Sequence, residues 1–134
     1  MVKVIDGDTI DVLHGDKITT RVRLNGIDAP ERKQPFSTKA KERLSELIGE
    51  NPVRMVDWGP DKYGRTIGDV YNGDKLLNLE LVRDGFAWHF KRYSSDPKLA
   101  SAEIEARAAK RGLWADPKPV EPWQWRAQES KRDQ

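Results

Sequence analysis

Two short stretches, Asp6-Gly7-Asp8-Thr9 and Ile27-Asp28-Ala29-Pro30-Glu31, carry carboxylates that a β-hairpin could bring together. A third, Asp61-Lys62-Tyr63-Gly64-Arg65, sets an arginine at the mouth of a later loop. Carboxylate oxygens hold hard cations, and a guanidinium forks onto phosphate oxygens. Together these are the parts that metal-assisted phosphodiester hydrolysis needs. Spacing alone also allows a plainer reading. Asp8 and Arg23 would then form a surface ion pair across a hairpin, and Asp28 and Glu31 would be turn residues.

The elements that must position these residues can be read in outline. Val2 to Leu13 is rich in Val, Ile and Thr, and Ile18 to Leu24 alternates apolar and polar, with His14-Gly15-Asp16 supplying a turn between them. If Gly15-Asp16 is a two-residue turn, Asp8 stands directly opposite Arg23, and cross-strand partners share a face. Asp28 lies five residues beyond Arg23, so the Asn25-Gly26 bend must fold it back, and Pro30 stiffens the chain on its far side. Glu31 would then stand at the rim, able to accept a proton from an incoming water.

Ser37 caps a helical run with Ala40, Leu44, Leu47 and Ile48 on one face, stopped by Gly49 and Pro52. Val53–Trp58 and Arg65–Tyr71 read as strands, and Leu77–Asp84 as a short helix ended by Gly85. Another helix begins near Pro97 and ends at Gly112, with Leu99, Ala102, Ala106, Ala109 and Leu113 at helical spacing. Asp116 to Pro122 holds three prolines and must be extended. Residues from about 115 to 134 are therefore expected to form an extended Pro/Trp strap with a polar tail. These elements suggest a small β-barrel with helices packed on it, and an OB-type barrel fits best.

A chain of 134 residues is expected to make one domain, residues 1–134. The net charge is only +2, from 24 basic and 22 acidic residues, so nucleic-acid binding must come from local arrangement. The absence of cysteine excludes disulfides, zinc–thiolate sites and thiol catalysis. No apolar run approaches the length of a membrane helix, and no membrane partner is expected. Met1 runs almost directly into a strand, which suits a mature secreted or periplasmic domain, with a cytosolic protein as the alternative.

His14 reads as a turn residue, and His89 has no nearby nucleophile to serve. Trp58, Trp88 and Trp114 read as core or barrel-rim packing, and Trp123 and Trp125 as a cap rather than a base-stacking platform. Lys91, Arg92 and Tyr93 form a basic–aromatic cluster that could hold a phosphate backbone.

In order and spacing, Asp6-Gly7-Asp8-Thr9, Arg23 before Asp28, Pro30-Glu31 and Asp61-Lys62-Tyr63-Gly64-Arg65 resemble the thermonuclease (staphylococcal nuclease) family. Leu77 to Gly85 resembles that family's second helix, and Gly112-Leu113-Trp114 the end of its third. The resemblance runs from Val4 to about Trp114. It implies an OB-type five-stranded barrel with three helices and calcium-dependent hydrolysis of DNA and RNA by a monomer. By motif position it implies Asp8 and Asp28 as calcium carboxylates, and Ala29, where the family's best-known member has threonine, as a carbonyl ligand. Glu31 matches the general base, and Arg23 and Arg65 match the phosphate-binding arginines. Lys62, Tyr63, Lys91 and Tyr93 would contact substrate, with Lys91 at a position where the family has tyrosine. The loop after Glu31 is shorter than the family's. The rival reading is a noncatalytic nuclease-like OB domain binding nucleic acid or protein, which would be expected to have lost these acidic and arginine residues.

Overall fold

In the computed structural model, which describes residues 2–15 and 17–132, the Gly7-Asp8 turn splits the first apolar run into β1 (Val2–Asp6) and β2 (Thr9–His14). This corrects the single strand expected from Val2 to Leu13. A two-residue Gly-Asp loop is a hairpin signal, and it wins over the β-branched residues around it. β2 is followed by β3 (Ile18–Leu24), with Gly15 and Lys17 between them in left-handed backbone at φ 57° and 68°. Asp16, half of the expected two-residue turn, lies outside the described residues. The longer turn moves the ladder by one position. Arg23 is therefore paired with Thr9, not with Asp8, which sits just before the start of β2.

β3 leads through the left-handed Gly26 into β4 (Ile27–Asp28), and two further long strands come later, β5 (Arg54–Pro60) and β6 (Thr66–Asn72). β6 lies parallel to β3, with Arg23 beside Ile67, and antiparallel to β5. The sheet runs β1-β2-β3-β6-β5, with β7 (Lys75–Leu76) as a short addition to β6. A separate pair joins β4 to β8 (Trp88–His89). Among the described residues β1 pairs only with β2 and β5 only with β6, so the sheet is open and does not close on itself into the expected OB-type barrel.

Helix α1 (Ser37–Ile48) buries Ala40, Leu44 and Ile48, and α2 (Leu77–Arg83) buries Leu77, Leu81 and Val82. These meet Ile10, Val22, Leu24 and Val70 of the sheet in one core. Asn78, buried in α2, accepts from Val70 N and donates to the carbonyls of Asn25 and Gly68, at 3.1, 2.9 and 3.2 Å. That amide ties the helix to the end of β3, two residues from Arg23, and to β6. α3 (Pro97–Ala108) starts at Asp96, whose carboxylate accepts from Lys98 N at 2.9 Å. Gly85 and Gly112, at the ends of α2 and α3, touch backbone to backbone; a Cβ on Gly85 would come within 2.2 Å of the Arg111 carbonyl oxygen.

The expected strap is extended only as far as Glu121, and then coils into a fourth helix, α4 (Pro122–Arg132). The three-helix expectation is corrected accordingly. Trp88 and Trp114 meet edge-on at 4.4 Å, and Trp123 of α4 meets Trp88 edge-on at 5.6 Å and stacks on Phe90. Trp58 does not pack as expected: it is 62% exposed on β5, and its indole N–H donates to Asp69. Among the described residues no helix is long and apolar enough to cross a membrane.

Candidate active site

The β1–β2 turn fixes Asp8 through its own backbone, whose carbonyl accepts from Leu24 N at 2.8 Å while its N–H donates to Asp6 Oδ1 at 3.1 Å. Gly7 is needed there: a Cβ would stand 2.8 Å from Ala29 Cβ and from Ala40 Cβ, so the turn is wedged between the Asp28-Ala29 segment and α1. Asp8 Oδ2 accepts from Ala29 N at 2.8 Å and faces Arg23 Nη1 at 3.3 Å; Oδ1 accepts from the Thr9 hydroxyl at 3.1 Å. From β3, Arg23 also reaches Asp28, with Nη2 3.2 Å from Oδ1. One guanidinium therefore bridges two buried carboxylates. The pairing that the sequence assigned to hairpin register arises instead from the β1–β2 turn.

Asp28 is 1% exposed, held by the pairing of β4 with β8. Three residues further on, Glu31 donates its N–H to Gln34 Oε1 at 3.0 Å, and Gln34 donates in turn to the Val120 carbonyl. Gln34 is 5% exposed and links the Glu31 loop to the segment that leads into α4. That segment delivers a residue the sequence reading did not single out. Arg126 Nη2 lies 2.7 Å from Asp28 Oδ2, and Nη1 donates to Asp28 Oδ1 and to Glu31 Oε1. The one available signal was Pro122 after a polar residue, which suits the first turn of a helix.

Crowded carboxylates set the electrostatics. Burial, reinforced by the Asp8 charge, pushes Asp6 up to about 7. Burial also raises Asp28 to about 6, with the Asp8 charge adding to it against the pull of Arg126 and Arg23. For Asp8 itself burial works upward, but Arg23 and the hydrogen bonds from Asp6, Ala29 and Thr9 outweigh it and hold the group low. Burial opposes the charge on Arg126 as well, and Asp28 and Glu31 more than offset that. The donor chemistry suits a hard cation: anionic oxygens, close together, in need of positive charge. Asp8 and Asp28 are the side chains that could hold one. Among the described residues no group of three or more His, Cys, Asp or Glu side chains surrounds a common point.

The remaining candidates stand in two other clusters. Asp61 Oδ1 accepts from Tyr63 N and Arg65 N at 2.8 and 2.9 Å, and Oδ2 accepts from Arg65 Nε at 2.7 Å. Among the described residues this leaves the two Nη groups of Arg65 without a hydrogen-bond partner, beside an exposed Tyr63 whose ring also takes Lys62 at 5.2 Å. Arg65 makes no hydrogen bond or ion pair to Asp8, Asp28 or Glu31. It stands at the head of β6, which runs alongside β3 and hence alongside Arg23. Lys91 pairs with the buried Glu103 at 3.3 Å, and Tyr93, 67% exposed, packs edge-on against Phe90. His89 is buried with its Nε2 3.1 Å from the Ser94 hydroxyl.

Residues 21–116 match the model of the family described as staphylococcal nuclease homologue. An uncharacterized endonuclease of Haemophilus influenzae is 46% identical over 129 residues, covering 96% of this chain and 72% of that protein. An uncharacterized endonuclease of Escherichia coli is 42% identical over 127 residues, covering 94% and 82%. The micrococcal nuclease of Shigella flexneri is 41% identical over 137 residues, covering 94% and 78%.

Proposed function

The chain belongs to the staphylococcal nuclease family, and from that premise we propose that it is a calcium-dependent phosphodiesterase cutting DNA and RNA internally with little sugar specificity. The observation that carries this reading is the convergence of Asp8, Arg23, Asp28 and Glu31 on one patch, linked through Arg23 and Arg126. The open path β1-β2-β3-β6-β5 supports reading the sheet as an OB-type barrel, an architecture that is itself partly open.

Asp8 and Asp28 would hold the calcium ion, with the Ala29 carbonyl as a further ligand. Bound there, the ion offsets the charge of the diester and so lowers the barrier to an anionic or polar nucleophile. Arg23 and Arg65 donate to the phosphate oxygens on which charge builds at five-coordinate phosphorus. Glu31 takes a proton from water as the water oxygen bonds to phosphorus; the bond from phosphorus to the leaving sugar oxygen breaks, and that oxygen takes a proton from bulk water. Lys62, Tyr63, Lys91 and Tyr93 would grip the strand on either side. The protein acts as a monomer outside the cytoplasm in this reading.

Incubating denatured DNA with the protein in calcium and in excess chelator tests the proposal. Cleavage with calcium and none with chelator is expected, with magnesium supporting little, because a sparse and loosely built ligand set suits the larger ion. Equal cleavage in magnesium would remove the calcium preference. No cleavage in either metal, with the strand still bound, would favour the binding domain.

A further inference from the structure

The use of Arg126 is unusual for a residue so distant in sequence: 98 positions separate it from Asp28. It occupies both oxygens of that carboxylate and the Glu31 carboxylate besides. Asp28 Oδ1 is shared with Arg23. A calcium ion binds a carboxylate oxygen at about 2.3–2.6 Å. A guanidinium nitrogen already lies 2.7 Å from Asp28 Oδ2, with its hydrogens turned toward it. Two cations cannot approach the same oxygens from the same side at these distances, since their repulsion at short range in a buried setting is large.

We propose that Arg126 is a resident internal cation that latches α4 over the carboxylates, and that a divalent cation must displace it before the site can work. This rests on the metal-dependent function proposed for the same carboxylates. The latch covers two functions at once: it occupies a metal ligand, Asp28, and it ties up the proton acceptor, Glu31. Its construction suits release. Trp123 and Arg126 lie three residues apart, so they share one face of α4. Trp123 is the fixed end, stacked on Phe90 with rings 3° from parallel and set edge-on to Trp88. Arg126 is the free end, its side chain 41% exposed, so the guanidinium can swing into solvent without unpacking the tryptophan. Gln124, Ala127 and Gln128 of the same helix are exposed.

Calorimetric titration with calcium chloride alone, on the unaltered chain and on Arg126→Gln, tests the latch without recourse to activity. Removing the competing guanidinium should tighten calcium binding by about 10-fold or more, because the binding-competent state is no longer a minor fraction held back by the latched one. Lys33→Gln removes an exposed positive charge two residues from Glu31 that makes no ion pair among the described residues, and should change the affinity by less than about 3-fold. In the unaltered chain, calcium should also speed amide hydrogen exchange across α4. An Arg126→Gln affinity no tighter than that of Lys33→Gln would overturn the latch, as would slower exchange in α4 with calcium. If neither the unaltered chain nor Arg126→Gln bound calcium, the metal-dependent reading itself would fail and the latch with it.

Discussion

Arg65 illustrates how one side chain can be held and free at once. Its Nε and backbone N–H are both committed to Asp61, which fixes the plane of the guanidinium and leaves the Nη pair to meet a phosphate. Lysine could keep the charge but not the anchored fork. Arg65→Lys is therefore expected to lower kcat by about 10³-fold or more, with a much smaller change in KM. Steady-state rates with an oligonucleotide, alongside a melting curve, check this, and retained turnover would remove Arg65 from the chemistry. Asp61 brings a second expectation. Burial pushes its carboxyl upward, but bonds from Arg65 and Tyr63 N–H and from the Arg65 guanidinium win and hold it below its ordinary 3.8. The folded state thus prefers the ionised form. Its stabilisation is complete above the unfolded value and is lost as pH falls through the lowered folded value. Asp61→Asn should be less stable than the unaltered chain by about 1 kcal/mol near neutrality, and the gap should narrow as pH falls below the ordinary carboxylate value. Urea unfolding across that range measures it, and a gap constant with pH would refute the assignment.

At the scale of elements, α4 depends on a single ring. Trp123 packs on Phe90 and Trp88, whereas among the described residues Trp125 makes no ring contact of this kind. Trp123→Ala should cost about 2–3 kcal/mol of stability, and Trp125→Ala less than about 1. Denaturant unfolding and oligonucleotide binding on the same samples separate packing from stacking on bases; weakened binding with unchanged stability would mean a base platform. The sequence showed α1 and α3 well, because Ala40, Leu44 and Ile48, and Leu99, Ala102 and Ala106, repeat at helical spacing. It hid α4. Between Pro122 and Arg132 the only apolar side chains are Trp123, Trp125 and Ala127, which give no stripe, and the prolines before them suggest a continuing extended chain. The β1–β2 turn is hidden differently: the carboxylate of Asp8 draws notice as chemistry, while Gly7-Asp8 is at the same time a hairpin turn inside a β-branched run.

For the whole molecule, the grouping of Asp8, Arg23 and Asp28 could be guessed from order and spacing, but the way they meet could not. A one-residue change in the turn between β2 and β3 moved Arg23 opposite Thr9, yet the contact to Asp8 survived because a long side chain and a wedged turn absorbed the difference. Gln34 and Arg126 were out of reach. Each matters through partners 86 and 95 positions away along the chain, Val120 and Glu31, which nothing local announces.

The open sheet has one more consequence, for life at high concentration. An uncovered strand offers its free amides and carbonyls to the edge of a neighbouring molecule, and a long flat edge invites endless stacking. Both outer strands here are ill suited to that. β1 is broken by an irregularity between Val4 and Asp6 and turns Lys3 outward. β5 is kinked between Asp57 and Pro60, where Gly59 sits at φ 103° and Pro60 has no amide hydrogen to offer. The kinks that shape the rim of the sheet thus also keep one copy from zipping onto the next.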